Sequence, residues 1–176
     1  MKNVRTLLLL LCSIAAFPVH AQWAGWDYDN DREIKPWSEL QARIPAYPKD
    51  QDLIRFDAGA ATPHRFFVDP KSLSIGEDGV VRYILVVRTA GGAKNVSFEG
   101  IRCETREEKI YAIGHPDGAW ARVRHPHWRR IEYREVNRHH GVLYRDSFCR
   151  NGKSAPASVA DIVSRLRNPP PPDTND

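Results

Sequence analysis

The chain has 176 residues, of which 41% are hydrophobic and 27% are charged. This length suits one domain of ordinary size, and the hydrophobic fraction is large enough for a packed core, which excludes a wholly disordered protein. The formal net charge of the whole chain is +4. The sequence shows no cofactor fingerprint and no complete catalytic motif. No cofactor is therefore expected, and whether the protein is an enzyme stays open.

The first 21 residues have the pattern of a secretory signal peptide. Lys2 and Arg5 precede an apolar run over residues 6–19, which is shorter than the roughly 20 residues that span a bilayer. The motif Val19-His20-Ala21 places small side chains where a signal peptidase requires them. We expect cleavage after Ala21, a periplasmic mature protein and no membrane span after cleavage. An uncleaved membrane anchor is the alternative.

Charge is unevenly distributed along the exported part of the chain. Removing Lys2 and Arg5 from the 26 basic residues leaves 24, against 22 acidic residues, a net charge of +2. Residues 22–60 carry five basic and eight acidic side chains, whereas residues 119–153 carry nine basic and three acidic ones. The two segments are therefore oppositely charged, at −3 and +6.

The cysteine count predicts one disulfide. Cys12 lies in the leader, so Cys103 and Cys149 are the pair that remains in an exported chain, and an oxidising compartment favours a bond between them. The bond would close a loop of about 46 residues and contribute about 4 kcal/mol in the chain-entropy model. A free nucleophilic thiol and a metal site are the alternatives, although two cysteines so far apart match no zinc motif.

Residues 22–50 are rich in Trp, Asp and Pro, and they sustain neither a strand period nor a helix period. We expect an extended arm whose Trp rings dock on the domain, with one short helical turn at residues 36–42. Exposed Trp at a binding surface is the alternative. The predicted organisation is a signal peptide (1–21), an N-terminal arm (22–34), a single domain (35–167) and a disordered Pro/Asp tail (168–176).

Runs of β-branched and aromatic residues predict an antiparallel sheet from residue 53 to about 135. Strands are expected at residues 53–57, 65–69, 72–75, 80–89, 95–103, 109–114 and 119–124, with 80–89 at the centre. Turns are expected at Glu77-Asp78-Gly79 and at residues 115–118. In the fifth of these strands Val96, Phe98 and Ile101 are expected to face the core, with Gly100 as a bulge that shifts the register.

The pattern changes after Trp128 from strand to helix. Asn137, His140, Leu143, Asp146 and Cys149 recur every third residue, which favours a helix with Asn137 as its N-cap. A strand through residues 142–148 is the rival interpretation. Ser158-Val-Ala-Asp161 predicts a capping box that opens a helix over residues 159–167. The predicted fold is therefore α+β: an antiparallel meander in one domain, with one or two C-terminal helices on one face.

Two histidine pairs are weak candidates for a metal site, namely His125 and His127, and His139 and His140. Side chains two residues apart in a strand point to the same side, and two such pairs could supply a tetrahedral ligand set. However, Pro126 predicts a loop, no carboxylate stands at ligand spacing, and the neighbouring arginines oppose a cation. No metal, cofactor or catalytic residue is therefore assigned.

Eight arginines lie between residues 122 and 150, interleaved with Trp and Tyr. Exposed arginines beside aromatic rings bind anionic polymers through paired hydrogen bonds and stacking. In an exported protein the expected partner is an anionic envelope glycan or a lipid headgroup rather than nucleic acid. The alternative is that these arginines pair with the acidic segment 22–60 and with Glu132, Glu135 and Asp146. The candidate anion-binding residues are Arg122, Arg124, Arg129 and Arg130.

The block between the two cysteines resembles the cryptic-neisserial-protein-like family of exported Gram-negative bacterial proteins. The resemblance covers roughly residues 35–167 and implies a periplasmic location, but no activity, ligand or catalytic residue. Some family members have a lipoprotein leader, from which Leu10-Leu11-Cys12 departs. The residues that carry the resemblance are Phe98-Glu-Gly-Ile-Arg-Cys103, Lys109-Ile-Tyr-Ala-Ile-Gly114, Trp120, Trp128, Asn137, Leu143-Tyr144 and Phe148-Cys149.

These observations favour a non-enzymatic accessory or binding module of the Gram-negative cell envelope. The alternative is a hydrolase or metal-binding envelope enzyme that uses the Arg- and His-rich residues 120–150. A catalytic site requires titratable groups that converge in a concave place, and the fold decides whether they do.

Overall fold

Strand order follows chain order in this protein. The computed structural model describes residues 36–59, 62–132, 138–149 and 151–169, and within them seven antiparallel strands form one sheet in the order β1-β2-β3-β4-β5-β6, with β7 also paired to β5. The predicted signal peptide, residues 22–34 of the arm, Asn137 and most of the tail lie outside these residues. The strands are β1 (Ile54–Phe56), β2 (Arg65–Ile75), β3 (Val80–Arg88), β4 (Lys94–Arg102), β5 (Glu107–Gly114), β6 (Trp120–Arg122) and β7 (Arg129–Arg130).

The helical elements follow the sheet. Helix α1 (Arg138–Val142) continues into a π-helical segment (Leu143–Phe148), and α2 is Val159–Arg167. The helix predicted after Trp128 is confirmed over residues 138–148, and the rival strand at 142–148 is wrong. The predicted N-cap, Asn137, lies outside the described residues. The buried residues Leu143, Tyr144, Ser147 and Phe148 recur at helical spacing, which places them on one face. The N-cap of α2 is as expected, because the Ser158 hydroxyl accepts a hydrogen bond from the Asp161 N–H at 3.2 Å.

Both faces of the sheet are covered, which explains the uninterrupted apolar sequence of β3. Tyr83 and Leu85 point toward the helices, where they pack with Phe148 and Ile162. Successive strand residues point to opposite faces, so Ile84 forms a second cluster on the other side, with partners in β4 and β5. Residues of the N-terminal segment, including Ala42, Ile44 and Tyr47, pack over this second cluster.

The N-terminal segment (residues 36–49) contains neither strand nor helix, so the predicted helical turn at 36–42 is wrong. A buried ion pair holds the segment instead of local structure. The Arg82 guanidinium lies 2.6 Å from the Asp78 carboxylate and donates to the Leu40 carbonyl at 2.9 Å. Asp78 also accepts the Leu40 N–H at 2.8 Å and, through its own carbonyl, the indole N–H of Trp37 at 2.9 Å. Trp37 thus docks on the sheet as expected.

The bulge lies in β5 rather than at Gly100. Phe98 pairs with Ala112 and Glu99 pairs with Ile110, which leaves Tyr111 as the extra residue. Gly100 has a different role, since a Cβ at this position would stand 2.7 Å from the Tyr111 hydroxyl oxygen. The absent side chain makes room for the bulged ring. The runs 65–69 and 72–75 were predicted as two strands, but together they form the single strand β2, with a register irregularity between Asp69 and Ser74.

The expected disulfide is present. Cys103, just beyond β4, is bonded to Cys149, just beyond the π-helical segment, with 5.5 Å between their Cα atoms. Both cysteines are about 1% exposed. Among the described residues no helix is long and apolar enough to cross a membrane.

Candidate functional site

A buried acid–base cluster lies between the sheet and α1. The Glu99 carboxylate of β4 is 2.8 Å from Nε2 of His140, and it accepts hydrogen bonds from the hydroxyls of Tyr83 at 2.8 Å and Ser97 at 2.5 Å. Glu99 is 2% exposed and His140 is 4% exposed. His139 lies beside the cluster and stacks on the Phe66 ring. Glu99 was not among the residues selected from the sequence. The signal that could have identified it is an acidic residue among the apolar residues of a predicted strand.

Burial and mutual electrostatic interactions shift the pKa values of Glu99, His140 and His139. Burial raises the pKa of Glu99, but the charge and hydrogen bond of His140, together with Ser97, lower it to about 2. Burial lowers the pKa of His140, and the Glu99 carboxylate more than offsets this, so that pKa is raised. Burial and the charge of His140 lower the pKa of His139 to about 4. His140 therefore keeps its proton to a higher pH than His139 does. The buried Glu99–His140 pair is closed to a substrate in solution.

The histidine candidates do not form one site. His125 and His127 lie in the exposed loop between β6 and β7, whereas His139 and His140 belong to α1. Within the described ranges no three His, Cys, Asp or Glu side chains are grouped as metal ligands. The two histidine pairs therefore do not form one metal centre within the described ranges.

The four candidate arginines lie together at the sheet edge. Arg122 ends β6, Arg124 lies in the following loop, and Arg129 and Arg130 form β7. All four are exposed, and they are called the arginine rim below. Arg129 pairs with the buried carboxylate of Glu108 at 2.8 Å. Among the residues that the structure describes, Arg122, Arg124 and Arg130 make no ion pair.

The acidic segment pairs elsewhere. Glu39 binds Lys109 of β5 at 2.7 Å. Asp50 binds Arg88 and Lys94 at 3.0 and 2.6 Å, and Asp52 binds a lysine of β2. In the described part of the segment 22–60, these acids therefore neutralise cations of the sheet and not the arginine rim. The other half of the neutralisation alternative is met at one position, because Arg145 pairs with Asp146 at 2.6 Å.

Two depressions adjoin the loop between β6 and β7, and both are lined by Val123 and Pro126. The first, of about 260 Å³, lies against the N-terminal segment and is called the Glu39 depression. Its carboxylate accepts hydrogen bonds from Tyr111 at 2.9 Å, Lys109 at 2.7 Å and the indole N–H of Trp128 at 3.3 Å. Arg122 also lines this depression. Because the Glu39 carboxylate already accepts three hydrogen bonds, the depression is assigned no ligand of its own.

The second depression, of about 150 Å³, is lined by Ile110 and Ile113 of β5 and is called the Ile113 depression. Its remaining lining includes His125, His127 and Arg129. Apolar and cationic groups therefore meet here. Ile110 and Ile113 are three positions apart, so in a regular strand they would point to opposite faces. The bulge at Tyr111 brings both to the same depression, which the sequence did not indicate.

Comparison with known proteins adds a family. Searches of curated proteins and of solved structures gave no match. The model of the CNP1-like family matches residues 32–167, which covers the whole sheet, both cysteines and both helices. This confirms the family suggested by the cysteine-to-cysteine block, and the chain belongs to the CNP1-like family.

Proposed function

We propose that this protein is a non-enzymatic binding module that takes an anionic ligand of the Gram-negative cell envelope at its arginine rim. The observation that carries the proposal is the exposure of Arg122, Arg124 and Arg130 on one loop and its flanking strands, with no ion pair among the described residues. Guanidinium groups bind phosphate, sulfate and carboxylate through two parallel hydrogen bonds.

The buried cluster supports binding over catalysis. Glu99 and His140 form a paired acid and base, and both side chains are buried from solvent. A general base must come within hydrogen-bond reach of the proton that it removes. The exposed cations, by contrast, need no chemistry beyond electrostatic attraction.

The proposed place of action is the periplasm, after cleavage of the leader behind Ala21. The leader pattern of residues 1–21 supports this, and a disulfide is typical of exported proteins. Intact-mass measurement of protein recovered from the periplasm should give a chain that starts at Gln22. A mass that retains residues 1–21, or one that carries acyl chains, would contradict the proposal.

The binding experiment uses dextran sulfate as a soluble polyanion. The variant R122A/R124A should weaken binding about tenfold at low salt, and the attraction should fall as the screening length drops to about 8 Å near 0.15 M salt. The matched control is R55A/R65A, which removes two exposed arginines from β1 and β2. Equal losses in both variants would show that general charge, and not the rim, is responsible.

A further inference from the structure

Large exposed hydrophobic side chains are few and localised. Among the described residues they are Trp37, Leu40 at 47% and Ile113 at 43% exposure. Trp37 is held by the Asp78 carbonyl and by the guanidinium of Arg102, 3.9 Å above its ring. Ile113 lies on β5, in the depression that also contains an arginine of the rim. Its exposure has no explanation in the packing of the fold.

The size of the Ile113 depression indicates how a ligand would use it. Pockets that enclose a small molecule measure about 300–1,000 Å³, whereas this one measures about 150 Å³. It is too small to enclose a lipid chain and too apolar to serve a glycan. Ile110, Ile113, Val123 and Pro126 give it an apolar floor that suits contact with a surface rather than capture of a molecule.

The charges around this floor are complementary to an anionic surface. Arg129 lines the depression, and half of its side chain stays exposed beside its ion pair with Glu108. Arg124 is exposed and lies between Val123 and His125, which both line the depression. An apolar patch bordered by arginines is the arrangement by which proteins attach to anionic lipid without a spanning helix.

We infer that the Ile113 depression and the arginine rim together dock the protein on the headgroup layer of an anionic phospholipid bilayer. Ile113 and Pro126 enter the boundary between headgroups and acyl chains, while the arginines pair with lipid phosphates. This inference rests on the proposed anion-binding function and deepens it by naming the ligand as a lipid surface. The apolar floor is what separates this ligand from a soluble glycan.

The test is co-sedimentation of the mature chain, which starts at Gln22 after cleavage of the leader, with vesicles. One set contains phosphatidylcholine alone, and in the other about one-third of the lipid is phosphatidylglycerol. The wild type should bind the anionic vesicles and leave the neutral ones. Ile113→Gln should lower that binding about fivefold to tenfold, with dextran sulfate binding unchanged. Leu40→Gln is the matched control, since Leu40 is as exposed but lies in the Glu39 depression.

Each further outcome decides between explanations. Every variant carries the same N-terminus, so differences between variants report on the substituted surface. Vesicle binding that is equal in Ile113→Gln and wild type would overturn the inference. A wild type that binds dextran sulfate but not anionic vesicles would overturn the inference and leave the proposed function standing. A wild type that binds neither would overturn both the inference and the proposed function. A wild-type dimer that Ile113→Gln converts to a monomer would assign the patch to a second copy of the chain instead.

Discussion

The carboxylate of Glu99 and the imidazole of His140 lie 2.8 Å apart across the contact between β4 and α1. A buried ion pair adds little net stability compared with a well-packed apolar pair, but the loss of one partner leaves an uncompensated buried charge. The pair therefore acts as a strong restraint on how α1 sits on the sheet. It joins residues 41 positions apart in the chain.

Glu99→Gln should destabilise the protein by about 3–5 kcal/mol, because His140 loses its counter-charge while remaining buried. Chemical unfolding of the variant measures this. The double variant Glu99→Gln/His140→Gln should lose less than the sum of the two single losses, since both remove the same interaction. Additive losses would show that the two groups are not energetically coupled.

The same pair predicts a pH dependence. The pKa of Glu99 falls from 4.5 to about 2 on folding, so its contribution is present above pH 4.5 and is lost as the pH falls toward 2. The pKa of His140 rises above 6.5, so its contribution is complete below pH 6.5 and is lost as the pH rises through the folded-state value. The difference in unfolding free energy between wild type and Glu99→Gln should therefore be largest between pH 4.5 and 6.5. A difference that does not vary with pH would contradict this assignment of charge.

Asp78→Asn should release the N-terminal segment from the sheet. The substitution removes the charge opposite Arg82, whose side chain is 7% exposed, and weakens the contact to Leu40. We expect a loss of about 3 kcal/mol or more and faster proteolysis within residues 36–49. The neighbouring Glu77 is exposed, so Glu77→Gln is the matched control and should change stability by less than about 0.5 kcal/mol. Unchanged proteolysis in Asp78→Asn would show that the segment is held by other contacts.

Loss of the disulfide should lower stability substantially. Cys103→Ser and Cys149→Ser each open a loop whose ends are 46 positions apart, for which the chain-entropy model gives about 4 kcal/mol. The double variant should be little worse than either single one, and a reductant should bring the wild type down to the same level. Peptide mapping without reduction should recover the two cysteine peptides joined, and their recovery as separate thiol peptides would refute the bond.

Gly100→Ala should disturb the bulge in β5. The new methyl group would approach the Tyr111 ring to 2.9 Å and Val80 to 3.0 Å, and such overpacking costs about 1–3 kcal/mol. Tyr111 holds Glu39 through a 2.9 Å hydrogen bond, so the Glu39 depression should change shape as well. Gly91→Ala, whose Cβ would meet nothing nearer than 4.0 Å, is the control for thermal unfolding. Equal melting temperatures of the two variants would contradict the close packing.

The sheet and the helices were predictable because each rests on a local signal. The disulfide was predictable because export leaves Cys103 and Cys149 as the remaining pair. Short runs of β-branched residues indicated the strands, and the recurrence of residues at every third position from Asn137 to Cys149 indicated the helix. The position of the bulge was not predictable from β4 alone. A bulge is defined by two strands, and the extra residue, Tyr111, lies in the partner of the strand that contains Gly100.

The site was only partly predictable for a related reason. The arginine rim follows from four exposed residues close together in sequence. Glu99 and His140 meet through tertiary packing, and no local sequence pattern near either residue predicts this contact. Likewise, Glu39 reaches Lys109 and Tyr111 from a segment without any periodicity, so its pairing with β5 could be known only from the fold.

The packing of residues 42–47 over Ile84 and Phe98 sets where the folding unit starts. A chain that began at Leu53 would keep every strand of the sheet, yet one side of that sheet would face water with its apolar residues uncovered. Such a fragment would be expected to self-associate rather than remain dispersed. Residues 36–53 therefore belong to the domain in the same sense as the helices do, although their regular structure is limited to a single turn at Asp50–Asp52.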